Sequence, residues 1–203
     1  MSGGHSHAPV EQPADFAFTA ENAEKAKKII AKYPAGRKSA VMPLLDLAQR
    51  QVGWVPRAAM DVIAEMLDMP AIHVYEVVTF YTMYNQRPVG KHHVQVCTNL
   101  PCQLRGSEGV VDACKKELGI NMGETTADGQ FSLAEVECLA ACVNAPVVWI
   151  GDDYYEDLDP ELTRKLLQSF KRGENPKPGS QTGRQGSAPT GGSPTLTTSP
   201  VKG

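Results

Sequence analysis

The chain has 203 residues, of which 41% are hydrophobic and 21% are charged, proportions that are typical of a folded globular protein of one or two domains. Its formal net charge is -3 and its pI is near 6.0, which argues against a general attraction to nucleic acid or to anionic lipid surfaces. No stretch approaches the roughly 18 consecutive apolar residues of a membrane span, and residues 1–15 lack the apolar core of a signal peptide. We therefore expect a soluble cytoplasmic protein that neither inserts into the membrane nor binds nucleic acid.

The two ends of the chain have the composition of disordered segments. Residues 173–203 are dominated by Gly, Pro, Ser and Thr and carry almost no large apolar side chains, and residues 1–18 are similar but shorter. Such segments cannot bury enough apolar surface to offset the entropy lost on folding. We predict that both ends are disordered, and we assign no metal-binding role to the pair His5 and His7.

The segment from residue 19 to residue 88 is predicted to be helical. Apolar residues recur every three or four positions in four stretches, which lie near residues 23–30, 44–51, 60–67 and 72–84. Gly53, Pro56 and Pro70 separate the later stretches. The last stretch carries four aromatic residues, Tyr75, Phe80, Tyr81 and Tyr84. Aromatic side chains of an amphipathic helix generally lie in the core, so we expect these to be buried, with docking to a partner as the alternative.

Between residues 89 and 172 the pattern changes to alternating strands and helices. The predicted elements, in chain order, are a strand at 93–96, a helix at 104–118, strands at 131–136, 146–150 and 154–157, and a helix that begins at Asp159 and Pro160. The turn at residues 151–153 makes the last two strands a hairpin. The order β-α-β-β-β-α is that of a thioredoxin-like domain. We therefore predict an α+β protein in which an N-terminal helical bundle precedes a thioredoxin-like C-terminal domain.

Four of the five cysteines follow the first two predicted strands of this domain. Cys97 and Cys102 come after the first strand, and Cys138 and Cys142 come after the second. A crossover helix joins these strands, so they should run parallel, with their carboxyl ends at the same edge of the sheet. Cytoplasmic thiols stay reduced unless they bind metal or do redox chemistry. The pattern therefore predicts a site of four thiolates at the edge where open α/β sheets usually bind ligands.

The helix predicted at 104–118 bears on this site in two ways. Its N-terminus, which carries partial positive charge, should point at the loop that holds Cys97 and Cys102. The fifth cysteine, Cys114, lies on the apolar face of the same helix. We expect Cys114 to be a buried core residue and not a ligand.

The spacing of the four cysteines, C-x4-C and then C-x3-C, limits the kinds of metal site that they can form. A plant-type ferredoxin has a third cysteine at the position where this chain has Arg105, so that class is disfavoured. A Rieske centre needs two histidines on one iron. It is excluded because His92 and His93 enter the first strand at the end far from the cysteines. A [2Fe–2S] cluster needs two cysteines on each iron, which the two pairs provide. Four cysteines at such spacing also bind zinc. The spacing alone leaves a [2Fe–2S] cluster and a structural zinc ion as alternatives.

Several short motifs between residues 20 and 172 carry a resemblance to a known family. They are TFYTMY at 79–84, VCTNLPC at 96–102 with RG at 105–106, ECLAAC at 137–142, NAPV at 144–147 and YYEDL at 154–158. Together they resemble the small iron–sulfur subunit of the flavoprotein module of respiratory complex I, the NADH:quinone oxidoreductase. Members of that family usually have Gly where this chain has Ala140, a difference that leaves every ligand in place.

The resemblance implies a [2Fe–2S] cluster held by four cysteines, and it speaks against zinc. The ligands would be Cys97, Cys102, Cys138 and Cys142. It also implies that a partner flavoprotein subunit binds FMN and NADH, that the flavin takes the hydride, and that the cluster of this chain exchanges single electrons with the flavin. Further partners would be other peripheral-arm subunits of complex I, at the inner face of the cell membrane. In agreement, the chain has no G-x-G-x-x-G or Walker-type loop and thus no recognisable nucleotide site of its own.

Two alternative functions share some of these features. Similar subunits occur in the diaphorase parts of NAD-linked hydrogenases and formate dehydrogenases, which would keep the cluster and change the complex. A zinc-stabilised interaction module without redox activity is the other alternative, and it predicts a colourless protein that contains zinc and no iron.

Overall fold

The computed structural model describes residues 10–185, and the chain divides into two compact units, Met1–Val89 and Gly90–Gly203. We call them the helical unit and the sheet unit. Within the described residues, no helix has the length and apolar character needed to cross a membrane. His5, His7 and residues 186–203 lie outside the described residues, so the disorder predicted there stays a prediction.

In residues 10–89 the helical unit has four α-helices, one in each predicted stretch. They are α1 (Ala20–Ala31), α2 (Val41–Val52), α3 (Arg57–Leu67) and α4 (Ala71–Phe80), and a 3-10 helix at Arg37–Ala40 precedes α2. The Thr19 hydroxyl caps α1 by accepting a hydrogen bond from the backbone N–H of Asn22 at 3.2 Å. Helix α2 ends at Gly53, whose φ of 86° is in the left-handed region. The core between the helices is apolar and includes Leu44, Leu45, Ile63, Leu67, Val74 and Val78.

The prediction that the aromatic side chains near α4 lie in the core is wrong for all but one of them. Tyr84 is buried, and its hydroxyl donates to the Met42 carbonyl at 2.9 Å. Tyr75, Phe80 and Tyr81 are exposed, Phe80 by 77%. Apolar side chains surround α4, and only one stripe of a helix packs against its neighbours, so two valines fill the core and the aromatic residues stay outside. Docking of a partner to these side chains stays a prediction.

Part of the N-terminal segment predicted to be disordered packs against the helical unit. The rings of Phe16 and Phe18 meet edge to face with centroids 5.1 Å apart, and both pack on the helical core. The side-chain amide of Gln51 donates to the Ala17 carbonyl at 2.9 Å, and its oxygen accepts the backbone N–H of Thr19 at 3.0 Å. Average composition concealed these contacts, because two aromatic side chains bury enough apolar surface to hold a short polar segment.

As far as the structure describes it, to residue 185, the sheet unit is built on a five-stranded sheet in the order β2-β1-β3-β4-β5. The strands are β1 (His92–Cys97), β2 (Phe131–Val136), β3 (Val148–Ile150), β4 (Asp153–Glu156) and β5 (Gly179–Ser180), and the helices are α5 (Leu100–Leu104), α6 (Ser107–Leu118) and α7 (Pro160–Lys171). Strands β1 and β2 pair in parallel, and β3 and β4 form an antiparallel hairpin. Both pairings agree with the sequence prediction, and the α+β class is confirmed.

The helix predicted at 104–118 is α6, which begins at Ser107, and the sequence did not predict the separate short helix α5 that precedes it. Gly106, between them, has a φ of 97°, a left-handed conformation that a right-handed helix cannot continue through. The predicted start was early because the apolar period continues across this glycine. As a result Cys102 lies within α5 and not in a loop that precedes a long helix.

The core of the sheet unit lies where α6 and α7 pack against each other and against the sheet. Its buried members include Val94, Val96, Val110, Cys114, Leu133, Leu166 and Leu167. Helix α7 begins as predicted, because the Asp159 carboxylate accepts the backbone N–H of Leu162 at 2.7 Å.

The first part of the C-terminal tail is ordered beside β4, against the prediction of disorder from residue 173. Strand β5 pairs in parallel with β4, with Tyr155 opposite Gly179 and Glu156 opposite Ser180. The edge of β4 presents unpaired backbone groups that a further strand can satisfy. Composition did not reveal this pairing, because main-chain hydrogen bonds need no apolar side chains.

Candidate metal centre

The four predicted ligands come together at one edge of the sheet. Cys97 is the last residue of β1, and it lies opposite Val136, the last residue of β2, in the parallel register. Cys102 follows in α5, and Cys138 and Cys142 follow β2 directly. The parallel pairing therefore places both cysteine pairs beyond the carboxyl ends of neighbouring strands, as predicted.

The first pair, Cys97 and Cys102, is buried. Their exposed fractions are 2% and 1%, and they pack with Ala145 and Val147 in a small apolar cluster. Burial, together with the hydrogen-bonded Cys97 thiol, raises the pKa of the Cys102 thiol to about 12, although a hydrogen bond with the backbone of Val147 opposes the shift. Two thiolates so close together repel each other and are poorly hydrated, so a bound cation is what would stabilise them as thiolates.

The second pair, Cys138 and Cys142, is exposed. The two Sγ atoms lie 3.5 Å apart. The hydrogen bond with Cys138, followed by burial and the nearby Cys97 thiol, raises the pKa of Cys142. Between them, Ala140 takes a left-handed φ of 60° and its backbone N–H donates to Cys138 Sγ at 3.4 Å. This turn brings the two thiols to the same side of the loop.

The donor set fits a centre with two metal ions. The thiols form two pairs, and the pairs influence each other, since Cys97 raises the pKa of Cys142 and Cys142 raises that of Cys102. A [2Fe–2S] cluster takes two thiolates on each iron, whereas zinc draws four ligands to one point. All five cysteines are free thiols.

Side-chain hydrogen bonds tie the two cysteine loops together, and the sequence did not predict them. The Thr98 hydroxyl donates to Glu135 on β2, and the Asn99 side-chain amide donates to Glu137, the residue before Cys138. No periodic signal marks such pairs. The only clue was their position beside the cysteines, between strands expected to be parallel neighbours.

The residues predicted to lie away from the site do so. Cys114 belongs to the core under the sheet, and burial raises its pKa to about 12. His92 and His93 begin β1, at the end opposite Cys97. Burial lowers the pKa of His93 to about 4, so its imidazole is neutral near pH 7. Cys114, His92 and His93 therefore lie apart from the four cysteines.

The fold and the site thus define a thioredoxin-like protein with four thiols at one edge of its sheet, and comparison with known proteins gives the family. The family model "Thioredoxin-like [2Fe-2S] ferredoxin" matches residues 26–171. A component of the NADH-quinone oxidoreductase of Rickettsia bellii is 55% identical over 159 residues, which cover 77% of this chain and 95% of that protein. The mitochondrial NADH dehydrogenase [ubiquinone] flavoprotein 2 of Dictyostelium discoideum is 50% identical over 188 residues, which cover 92% of this chain and 76% of that protein.

Among solved structures, an NAD+-reducing [NiFe]-hydrogenase in the H2-reduced state aligns with a TM-score of 0.57 and 16% identity. The match covers 65% of this chain and 23% of the hydrogenase chain. At that identity the likeness shows a shared fold.

The chain belongs to the thioredoxin-like [2Fe–2S] ferredoxin family. The predicted fold and the resemblance to the small iron–sulfur subunit are confirmed. Its cofactor is a [2Fe–2S] cluster, and the zinc alternative is set aside.

Proposed function

We propose that this chain is the electron-transfer subunit of an NADH:quinone oxidoreductase, and that four cysteines hold its [2Fe–2S] cluster. The ligands are Cys97, Cys102, Cys138 and Cys142. The observation that carries the proposal is the meeting of two thiol pairs beyond the carboxyl ends of parallel strands β1 and β2. Relatives of 50% and 55% identity that are named as NADH dehydrogenase components support the choice of complex.

The two pairs of ligands have different tasks in this proposal. When bound, the cluster supplies a site that accepts and returns one electron at a time. The buried Cys97 and Cys102 shield one side from water, and the exposed Cys138 and Cys142 leave the other side accessible to a partner.

The proposed partner is a flavoprotein subunit that binds FMN and NADH, while this chain binds neither. Exposed apolar side chains flank both cysteine loops: Leu100 and Leu104 on α5, and Val143 next to Cys142. Such side chains beside a redox site suit burial against another subunit. Other peripheral-arm subunits complete the proposed complex, which would sit at the inner face of the cell membrane.

A second candidate is the equivalent subunit of an NAD-linked hydrogenase, which the shared fold with an NAD+-reducing [NiFe]-hydrogenase favours. Purification of the native complex discriminates the two. We expect an FMN-containing flavoprotein and quinone-reducing subunits to co-purify with the chain. Co-purification with a nickel-containing hydrogenase subunit would favour the second candidate.

The cluster itself is tested on the purified full chain. We expect iron and acid-labile sulfide in equal amounts, visible absorbance, and an EPR signal that appears on reduction. Cys102→Ser should abolish the signal, and the matched control Cys114→Ala, which removes a thiol outside the site, should keep it. A colourless wild-type protein that contains zinc would refute the proposal.

A further inference from the structure

Residues 174–185, which we call the strap, follow α7 in the chain and contact the loop that carries Cys142. The strap contributes β5 to the sheet, and the backbone N–H of Gln181 continues the pairing by donating to the Glu156 carbonyl at 3.0 Å. The Tyr155 hydroxyl donates to the Pro176 carbonyl at 3.4 Å. These contacts hold the strap along β4.

Near the end of the strap, the Arg184 guanidinium lies between Asp157, which follows β4, and Val143 in the second cysteine loop. Arg184 donates from Nε and Nη2 to Asp157 Oδ1 at 3.1 and 2.6 Å. Nη2 also donates to the Val143 carbonyl at 2.7 Å. Val143 directly follows Cys142 in the 3-10 helix Cys142–Asn144. A single cation therefore joins the strap, the end of β4 and the second cysteine loop.

Asp157 anchors this guanidinium. Its side chain is only 6% exposed, and the Ser180 hydroxyl donates to its second oxygen at 2.6 Å. Burial by itself raises the pKa of Asp157, but the hydrogen bonds from Arg184 and Ser180 outweigh burial and leave the pKa lowered. The carboxylate is therefore charged, and a charge that is so little hydrated stays in place because it is paired.

The loop that Arg184 contacts is irregular, and its other supports lie on either side of Val143: Asn99 donates to Glu137 before it, and the Asn144 side-chain amide donates to Glu156 at 3.0 Å after it. Apart from the short 3-10 helix, residues 137–146 form no regular element, and both of their cysteines are exposed. The backbone N–H of Asp157 donates to the Asn144 carbonyl at 2.7 Å. The aspartate whose carboxylate binds Arg184 is therefore also bonded to the loop through its own backbone. Arg184 and Asp157 thus bind the carbonyls of the two residues that follow Cys142.

We infer that Arg184 is a positioning residue for the second cysteine pair, because it holds the carbonyl after Cys142 against Asp157 and so fixes where the Cys142 thiolate lies. The inference rests on the ligands proposed above. Arg184 acts through the backbone of the loop and is not itself a ligand.

The experiment compares variants of the cluster-loaded full chain. R184Q removes the cation and keeps a polar side chain of similar reach, and D157N removes the anchoring charge with a residue that tolerates the left-handed φ of 56°. The matched control is R172Q, because Arg172 pairs with the exposed Glu174 and donates to Ser169 with no bond to a cysteine loop. Loss of visible absorbance in excess chelator gives the rate of iron release, and EPR of the reduced protein reports the ligand geometry.

We expect R184Q to release iron about tenfold faster than the wild type, the lower end of the effect of removing a residue that orients a metal ligand. Its EPR line shape should change, while R172Q keeps the wild-type rate and spectrum. D157N should act like R184Q, and the double variant should be no faster than either, since both remove one interaction. R184K should rescue the rate in part, because an ammonium keeps the charge but lacks the planar fork that bonds Asp157 and Val143 together.

Wild-type rates and spectra in R184Q would overturn the inference, and so would an equal acceleration in R184Q and R172Q. Failure of the proposed function is distinguishable, because it appears in the wild-type protein as the absence of an iron–sulfur cluster. Failure of the inference appears only in the variants, while the wild type keeps its cluster.

Discussion

The two cysteine pairs reach the same edge of the sheet by different means. Cys97 and Cys102 lie on regular elements, the end of β1 and helix α5, and their thiols are buried. Cys138 and Cys142 lie on a loop with one short 3-10 helix, and their thiols are exposed. Main-chain hydrogen bonds and packing fix the first pair, whereas the second pair depends on a few bonds to an irregular loop, from the Arg184 side chain and from the backbone of Asp157. One half of the site is therefore preorganised by the fold, and the other half depends on contacts such as that of Arg184.

Removal of iron should produce the largest difference between the two halves. Because ligation contributes folding free energy, hydrogen–deuterium exchange of residues 137–146 should accelerate by at least about tenfold in the iron-free protein. Residues 97–104 should change less, since β1 and α5 retain their own hydrogen bonds. The helical unit serves as the internal control and should change least. Equal acceleration in both units would contradict this view.

Serine substitutions should sharpen the comparison next. Cys102→Ser should reduce bound iron by at least about tenfold, because a hydroxyl releases its proton far less readily than a thiol and burial makes this harder still. Cys142→Ser should retain more iron, since an exposed loop can shift to bring a serine oxygen to the metal. Iron content and EPR of the two purified variants measure this. Equal loss of iron in the two variants would show that the burial of Cys102 and the exposure of Cys142 do not affect iron binding.

The opposite end of β1 offers a smaller, pH-dependent effect. Burial lowers the pKa of His93 from 6.5 to about 4, so the unfolded chain binds a proton that the folded chain does not bind between those pH values. The free energy of unfolding should therefore fall as the pH drops below about 6.5, by at most about 1.4 kcal/mol per pH unit from this group. Above pH 6.5 the group contributes no pH dependence. Urea unfolding of the wild type and His93→Gln between about pH 5 and 7 should give a shallower slope in the variant, and identical slopes would contradict the assignment.

The smallest effect concerns the turn within the second pair. Ala140 occupies a left-handed φ of 60°, a conformation that costs an L residue about 1 to 2 kcal/mol. Ala140→Gly should stabilise the loop by less than about 1 kcal/mol, because glycine also gains entropy in the unfolded chain. Iron release should slow slightly. Ala141→Gly is the matched control, since φ is -98° there and glycine offers no relief. A faster release in Ala140→Gly would contradict the expected strain.

Much of the fold was predictable because its signals are local. The cap of α7 by Asp159 and the hairpin of β3 and β4 follow from a few adjacent residues, and both were found where expected. The short helix α5 was missed and α6 was predicted to begin too early, although the signal is equally local, because the apolar period conceals the effect of Gly106. The exposure of Tyr75 and Phe80 was not predictable from period alone, since α4 has more apolar side chains than one packing face accommodates.

The features of the site likewise divide into those that the sequence predicted and those that it did not. The sequence itself determined that both cysteine pairs meet at one edge and that Cys114 lies in the core, because strand connectivity dictates a parallel pairing and parallel strands end at the same edge. The choice of the four cysteines as ligands stays a prediction. Only the tertiary structure decided which thiols are buried, and only it brought Arg184 to the Val143 carbonyl across 41 positions of the chain. An ion pair and a main-chain bond between such distant residues leave no periodic trace in a sequence, because their energy depends on where the fold brings the two groups together.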